Sequence, residues 1–142
     1  MPFGLRHPSH CQIRAVAWSG VAMTRPLALI IEDDDASAQA LALIVSDWGA
    51  EVVLDRTGQS AEDALGARLA DLRWIITDFH LGHREDGVSV AQRLARIATR
   101  ARVLVLSGSF RGQADDLAAS LGYRIMQKPA RAQDIVAWLE DE

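Results

Sequence analysis

Five side chains able to do chemistry stand at the ends of four short apolar runs in this 142-residue chain. In chain order they are Glu32 and Asp33, then Asp78, then Ser107, then Lys128. Clustered carboxylates are costly unless a cation neutralises them, and hard oxygen ligands favour Mg²⁺. An Asp carboxylate can act as a nucleophile and form an aspartyl phosphate. A metal and a lysine then neutralise the phosphoryl charge, and a hydroxyl can donate to a phosphoryl oxygen.

Each of these residues also has an ordinary structural explanation. Acidic residues before a helix often only cap it, an Asp after a strand is usually a turn residue, and a Lys-Pro pair alone is a weak signal. Two observations favour the chemical interpretation. The residues occur in order at successive strand ends, and Lys128 is the only lysine among the 15 lysine and arginine residues.

Alternating strand and helix patterns must position these side chains. The predicted strands cover residues 27–31, 51–54, 74–77, 103–106 and 123–126. The predicted helices run from a cap at Asp34 or Asp35 to Gly49, from Ser60 to residue 69, through Val90, Leu94 and Ile97 to about residue 100, from 113 to 121, and from 132 to 140. Ser60 with Asp63 suggests the cap of the second helix, which Gly66 loosens.

Five strands alternating with five helices imply an α/β fold, with helices on both faces of a parallel sheet. Right-handed crossovers make a doubly wound sheet the simplest solution. In such sheets ligands bind beyond the carboxyl ends of the strands, near the point where the strand order reverses. The candidate residues all fall at that edge, whereas Asp55, after the second strand, is expected farther from the cluster.

Composition excludes several classes of protein. The chain is 49% hydrophobic and 24% charged, which is typical of a globular domain, and no apolar run is long enough to cross a bilayer. The net charge of -4 gives no general attraction to nucleic acid. Cys11 is the only cysteine, so an internal disulfide is excluded. We therefore expect a cytoplasmic protein with neither a membrane nor a nucleic-acid partner.

Residues 1–25 differ in character from the rest of the chain. They combine Pro, Gly and His with a short apolar stretch at 15–23, preceded by arginines. A signal peptide is one interpretation. We favour a flexible extension, with Met23 as an alternative start, and expect one domain over residues 26–142.

Five stretches occur in the order of the motifs of a known family. They are LIIEDD at 29–34, WIITD at 74–78, Asp-Gly at 86–87, LVLSG at 104–108 and QKP at 127–129. As an ordered set they make the chain similar to response-regulator receiver domains from about residue 27 to residue 142. The resemblance implies a five-stranded, flavodoxin-like sheet with strand order 2-1-3-4-5.

The resemblance also implies a role for the acidic residues. Asp78 would accept a phosphoryl group from a phosphohistidine on a histidine kinase or a histidine phosphotransfer protein. Glu32 and Asp33 would hold Mg²⁺ together with Asp78 and the backbone carbonyl of His80. The chain would then be a signalling domain and not an enzyme.

Ser107 and Lys128 would bind the phosphoryl oxygens, and the peptide bond before Pro129 is typically cis in this family. These contacts would relay phosphorylation to a face formed by the fourth helix, the fifth strand and the fifth helix. We expect a stand-alone receiver that docks to a downstream protein or acts as a middle link in a phosphorelay, with a homodimer as a further option.

The chain departs from the family pattern at several positions. The family usually has an aromatic residue three positions before the lysine, where this chain has Ile125, and Tyr123 lies on the same strand face. Gly82 occupies a position where proline is common, and His80 lies where side chains influence dephosphorylation. A degenerate receiver acting as a constitutive scaffold is therefore an alternative. A small phosphatase with an Asp nucleophile is less favoured, because such enzymes generally place a second acid at the position of His80.

Overall fold

The computed structural model describes residues 24–81, 85–108 and 113–141. Its main sheet contains β1 (Leu27–Ile31), β2 (Glu51–Asp55), β3 (Leu72–Asp78), β4 (Arg102–Ser107) and β5 (Arg124–Gln127). All neighbouring strands are parallel, and their order is β2-β1-β3-β4-β5. The predicted doubly wound fold and its strand order are therefore confirmed.

The strands alternate with helices α1 (Asp35–Trp48), α2 (Gly58–Leu65), α3 (Gly87–Ala95), α4 (Gln113–Ser120) and α5 (Ala132–Glu140). A 3₁₀ helix, Gly66–Asp71, follows α2, and a short antiparallel hairpin pairs His80–Leu81 with Glu85–Asp86. None of the described helices has the length and the hydropathy that crossing a bilayer requires. The predictions for Gly82 and Met23, and for nearly all of the extension, lie outside the described residues.

Two apolar layers hold the sheet between the helices. The side chains of β1 alternate between them, since Leu29 and Ile31 join the layer of α2 and α3, whereas Ala28 and Ile30 join the layer of α1 and α5. Every residue of β1 is buried, as expected for a strand covered on both faces. The sheet core therefore gives a fixed base to the residues that follow β1.

The second helix begins earlier and ends earlier than the sequence pattern predicts. Its cap is Thr57, whose side-chain oxygen accepts from the backbone N–H of Ser60 at 3.0 Å, so Ser60 is not the cap. The helix stops at Leu65 because Gly66 has a φ of +52°, a left-handed conformation that ends the α-helical ladder.

The third helix is also shorter than predicted. It ends at Ala95, and Ile97 is 55% exposed, so the stripe of Val90 and Leu94 does not continue to residue 100. After Ala95 the chain tightens into turns in which the N–H groups of Ile97 and Ala98 both donate to the carbonyl of Leu94. That turn buries the small Ala98 in place of Ile97.

Candidate functional site

The acidic residues after β1 separate into three environments. Glu32 is 2% exposed, and its Oε2 accepts from the backbone N–H of Asp34 at 3.1 Å. Asp34 caps α1 by accepting from the N–H of Ser37 at 2.9 Å, and this hydrogen bond lowers the pKa of Asp34. Asp33, between them, is exposed. The simple capping explanation therefore applies to Asp34, whereas Glu32 and Asp33 remain available for other chemistry.

Asp78 ends β3 and is buried, with its backbone held by several hydrogen bonds. The Thr77 hydroxyl donates to the Asp78 carbonyl at 3.0 Å. The next residue, Phe79, donates its N–H to the carbonyl of Leu106 on β4 at 2.8 Å and accepts from the N–H of Gly87 at 2.6 Å. The strand end that carries Asp78 is thus bonded to both β4 and the start of α3.

Gly87 makes a contact that the sequence pattern did not reveal. A Cβ at this position would overlap the carbonyl oxygen of Asp78 and would crowd Thr77 Oγ1. Asp86 caps α3 by accepting from the N–H of Ser89 at 2.7 Å, which fixes the approach of this helix to the strand end. Only glycine therefore fits at position 87 without displacing the backbone of Asp78.

Lys128 reaches the acidic residues from the end of β5. Its Nζ lies 3.4 Å from Oε1 of Glu32 and 3.5 Å from Oδ1 of Asp78. Its backbone N–H donates to the carbonyl of Ser107 at 2.8 Å, and Ser107 itself is buried at the end of β4. The Lys128–Pro129 peptide bond is cis, as the resemblance implies.

The charges in this group are unevenly matched. Burial raises the pKa of Glu32 against the opposing hydrogen bond from Asp34, and the nearby charge of Asp78 raises it further. Burial acts to lower the pKa of Lys128, but the carboxylates of Asp78 and Glu32 outweigh it, so the pKa of Lys128 is raised. One ammonium therefore serves two buried carboxylates, which leaves negative charge for a further cation to neutralise.

The donor set fits a hard divalent cation. Glu32, Asp33 and Asp78 each place one carboxylate oxygen so that all three lie within 4.8 Å of one another. Oxygen ligands in such a group suit Mg²⁺ or Ca²⁺. His80 starts the short hairpin opposite Asp86, and its role as a carbonyl ligand stays a prediction.

Arg56 is a neighbour of the site that the sequence reasoning did not single out. Its Nη1 donates to the backbone carbonyl of Asp33 at 3.0 Å, and its Nη2 contacts the carboxylate of Asp35. The available signal was a basic residue directly after β2, at the same sheet edge. The side chain of Asp55 is not one of the three grouped carboxylates, although its backbone carbonyl accepts from the N–H of Glu32 at 3.0 Å.

Ile125 lies within β5, and Tyr123 directly precedes this strand, two residues earlier. Both are partly buried against the apolar layer of α2 and α3, so the predicted parity holds. Tyr123 precedes the start of β5, whereas the acceptor site lies beyond its end. Burial raises the pKa of the Tyr123 hydroxyl. Tyr123 therefore lies at the edge opposite the site, and Ile125 stands nearer to it.

Fold and site together define a doubly wound α/β protein with an acidic group and a lysine at the carboxyl edge of its sheet. No family model matches the sequence, and no curated protein matches it. Solved structures do match. The receiver domain of an HD domain-containing protein from Pseudomonas fluorescens Pf-5 is 22% identical with a TM-score of 0.72, and the match covers 81% of this chain and 91% of that one.

Two further structures are similar over most of the chain. A CheY in a CheX-CheY-BeF3-Mg²⁺ complex from Borrelia burgdorferi is 16% identical, with a TM-score of 0.69 and coverage of 80% and 85%. A response regulator from Burkholderia pseudomallei, with a phosphorylated aspartic acid, calcium ion and citrate, is 29% identical, with a TM-score of 0.70 and coverage of 80% and 66%. The chain therefore has the fold of response-regulator receiver domains.

Proposed function

We propose that this protein is a response-regulator receiver that accepts a phosphoryl group on Asp78 and signals by phosphorylation-dependent protein binding. The observation that carries the proposal is the position of Lys128. Its ammonium lies within 3.5 Å of both Glu32 and Asp78, inside a group of three carboxylates at the carboxyl edge of the sheet. A purely structural lysine would need only one of these partners.

The proposed chemical step is a direct phosphoryl transfer. An oxygen of the Asp78 carboxylate attacks the phosphorus of a phosphohistidine, the P–N bond breaks, and the imidazole leaves and takes up a proton. Lys128 neutralises a phosphoryl oxygen, and the Ser107 hydroxyl donates to another. The backbone hydrogen bonds of Phe79 keep the acceptor strand in place during the attack.

Mg²⁺ is the proposed cofactor, held by Glu32, Asp33 and Asp78 with the backbone carbonyl of His80. When bound, the ion neutralises the charge that develops on the transferred phosphoryl group. Two similar structures support a cation in this role, because one contains calcium with a phosphorylated aspartic acid and the other contains BeF3 with Mg²⁺. Arg56 supports the exposed ligand Asp33 through its backbone carbonyl.

The proposed partners are a histidine kinase or a histidine phosphotransfer protein as donor, and a downstream protein as receiver of the signal. The Borrelia CheY is found in a complex with another protein, which supports protein binding as the output. A phosphoryl group on Asp78 would draw Lys128 away from Glu32, and this local charge change would bias the conformation of the β5 end.

The direct test follows the intact mass of the full chain after treatment with phosphoramidate, with and without Mg²⁺. We expect one phosphoryl adduct that requires Mg²⁺ in the wild type and is absent in Asp78→Asn. An adduct that persists in Asp78→Asn, or no adduct in a folded wild-type protein, would contradict the proposal. The matched control is Asp63→Asn, because Asp63 is an acid on the exposed side of α2.

A constitutive binding scaffold is a second candidate, and Ile125 is the observation that favours it. The side chain at this position is aliphatic and packs with the core, so the usual aromatic readout is missing. A folded wild type that binds no phosphoryl group would favour this function. Sustained turnover of a phosphate ester would instead favour a phosphatase, which the histidine at position 80 makes less suitable.

A further inference from the structure

A shallow apolar groove lies between α1 and the edge strand β2, on the face of the sheet that α1 and α5 cover. Its volume is about 510 Å³. The α1 wall presents one stripe of the helix, at spacings of three and four residues: Gln39, Ala42, Leu43 and Ser46. The strand wall presents the alternate residues Val52 and Leu54, which share one strand face.

Two leucines make this groove unusual for a protein surface. Leu43 is 70% exposed and Leu54 is 38% exposed, and one lines the helix wall of the groove and the other the strand wall. The outer edge of β2 has no neighbouring strand among the described residues, so nothing described there covers Leu54 from that side. Apolar side chains grouped in a groove mark a binding site more strongly than scattered ones do.

The chain itself enters the described fold at the rim of this groove. Arg25 is one of the groove residues, and the carbonyl of Pro26 accepts from the N–H of Glu51 at the start of β2. The residues that precede this point include an uncharged stretch at 15–23, AVAWSGVAM, whose fourth residue is Trp18. A segment of matching apolar character is therefore tethered beside the groove.

We propose that residues 16–23 lie in this groove, with Trp18 packed against Leu43 and Leu54. The reach is sufficient, because the groove extends over about 10 Å along β2 and eight residues span up to roughly 26 Å. The short tether raises the effective concentration of the segment at the groove to the millimolar range, so few contacts suffice for binding. The uncharged stretch brings no charge into the apolar groove.

A second copy of the chain is a poorer occupant than this segment. Stable interfaces between proteins bury about 800 Å² on each partner. The groove offers only a few apolar side chains, with polar Gln39, Ser46 and Glu51 around them. The carboxylate of Glu51 is already paired with Arg68 at 2.7 Å. A narrow, short groove fits one chain segment better than a broad protein face.

The test uses the full chain labelled with 5-fluorotryptophan and observed by fluorine NMR. The chain has four tryptophans, and Trp18→Phe assigns the resonance of Trp18. We expect the Trp18 resonance to be displaced from the random-coil position in the wild type, and Leu43→Asp to move it to that position. Ile97→Asp is the matched control, since Ile97 is equally aliphatic and 55% exposed but lies after α3.

Each other outcome overturns the proposal. A random-coil Trp18 resonance in the wild type excludes docking, and so does a displaced resonance that Leu43→Asp and Leu43→Ala both leave unchanged. Light scattering after gel filtration identifies a second copy as the occupant if Leu43→Asp dissociates a dimer while the Trp18 resonance stays at random coil. Intact mass checks that residues 1–23 are retained, because their removal by processing also overturns the proposal. None of these measurements involves Asp78, so this result and that of the phosphorylation test are independent.

Discussion

The amino edge of the sheet, where the parallel strands begin, and the carboxyl edge, where they end, each carry a cation among polar groups. The two edges bind their cations differently. At the amino edge, Nη1 of Arg102 donates to the backbone carbonyls of Trp138 and Asp141 at 2.8 and 2.7 Å. Its guanidinium carbon also lies 4.8 Å from the centre of the Trp138 ring. At the carboxyl edge, Lys128 stands 3.4 and 3.5 Å from two carboxylates. Hydrogen bonds between charged groups are usually 2.7–2.9 Å long, so Lys128 is held loosely.

The difference is the one expected between a structural cation and the phosphoryl-binding cation of the proposed function. Arg102 has short bonds to fixed backbone oxygens at the end of α5, where a cation is favoured by the helix dipole. Lys128 shares its charge between buried groups that remain under-neutralised, and a ligand with negative oxygens could take up its free hydrogen-bonding capacity. The fold itself therefore satisfies the charge at the amino edge, whereas under the proposed function a cation and a phosphoryl group would do so at the carboxyl edge.

The largest expected effect comes from removing each cation in turn and comparing phosphorylation. Lys128→Ala should slow the formation of the Asp78 adduct by about a hundredfold, the loss typical of one electrostatic group at a reacting centre. Arg102→Ala should leave that rate unchanged, because its contacts lie at the opposite edge. The measurement is a time course of intact mass with phosphoramidate and Mg²⁺. Equal rates of adduct formation in Lys128→Ala and Arg102→Ala would show that Lys128 has no special role in phosphorylation.

The sequence predicts well which residues group at the carboxyl edge and where the most regular elements begin and end. Strand ends in a parallel α/β fold share one edge, so the grouping of Glu32, Asp78 and Lys128 follows from the chain order of apolar runs. The bounds of β1 and α5 agree with prediction, because one is a continuous apolar run and the other a clear amphipathic stripe. A continuous apolar run and an amphipathic stripe both show directly which side chains are buried.

Features that depend on the path of a loop could not be predicted in the same way. The contact of Gly87 with Asp78 and the hydrogen bond from Arg56 to Asp33 join residues whose distance no periodicity encodes. The end of α3 was misplaced because Ile97 continues the apolar spacing although the backbone turns before it. The local sequence pattern therefore predicts whether a segment is a helix or a strand more reliably than it predicts the residues at which the segment begins and ends.

Gly87→Ala tests whether the backbone at the carboxyl edge is as closely fitted as the contacts indicate. A methyl group there would overlap the Asp78 carbonyl, so we expect a loss of about 1–3 kcal/mol in the free energy of unfolding, together with slower phosphorylation. Gly108→Ala is the matched control, because a Cβ at that position meets no atom of the described residues within 4 Å. Urea unfolding measures the free energy of unfolding. Equal values for the two variants would show that the backbone at the end of β3 shifts to accommodate the added methyl group at little cost.

Arg102→Ala tests the amino edge as a purely structural site. The loss of two hydrogen bonds leaves the partly buried carbonyl of Trp138 and the exposed carbonyl of Asp141 without this donor, so we expect a decrease of roughly 1–2 kcal/mol in the free energy of unfolding. Asp141→Asn should change it by less than about 0.5 kcal/mol, since this 3.9 Å ion pair is exposed. If the two substitutions cost the same, the ion pair and not the backbone oxygens would hold Arg102.

The smallest effect is a pH dependence that belongs to the carboxyl edge alone. Burial raises the pKa of Glu32 in the folded protein above 4.5, its ordinary value in the unfolded chain. Between the unfolded-state pKa and the folded-state pKa, the folded protein therefore binds more protons than the unfolded chain does. The free energy of unfolding of the metal-free protein should therefore fall as the pH rises through this interval, by at most about 1.4 kcal/mol per pH unit. Urea unfolding in EDTA measures this fall, and the difference between wild type and Glu32→Gln isolates it from the other carboxyl groups. Mg²⁺ favours the ionised carboxylate and should reduce this fall in the free energy of unfolding. If wild type and Glu32→Gln show the same pH dependence of the free energy of unfolding, burial does not raise the pKa of Glu32.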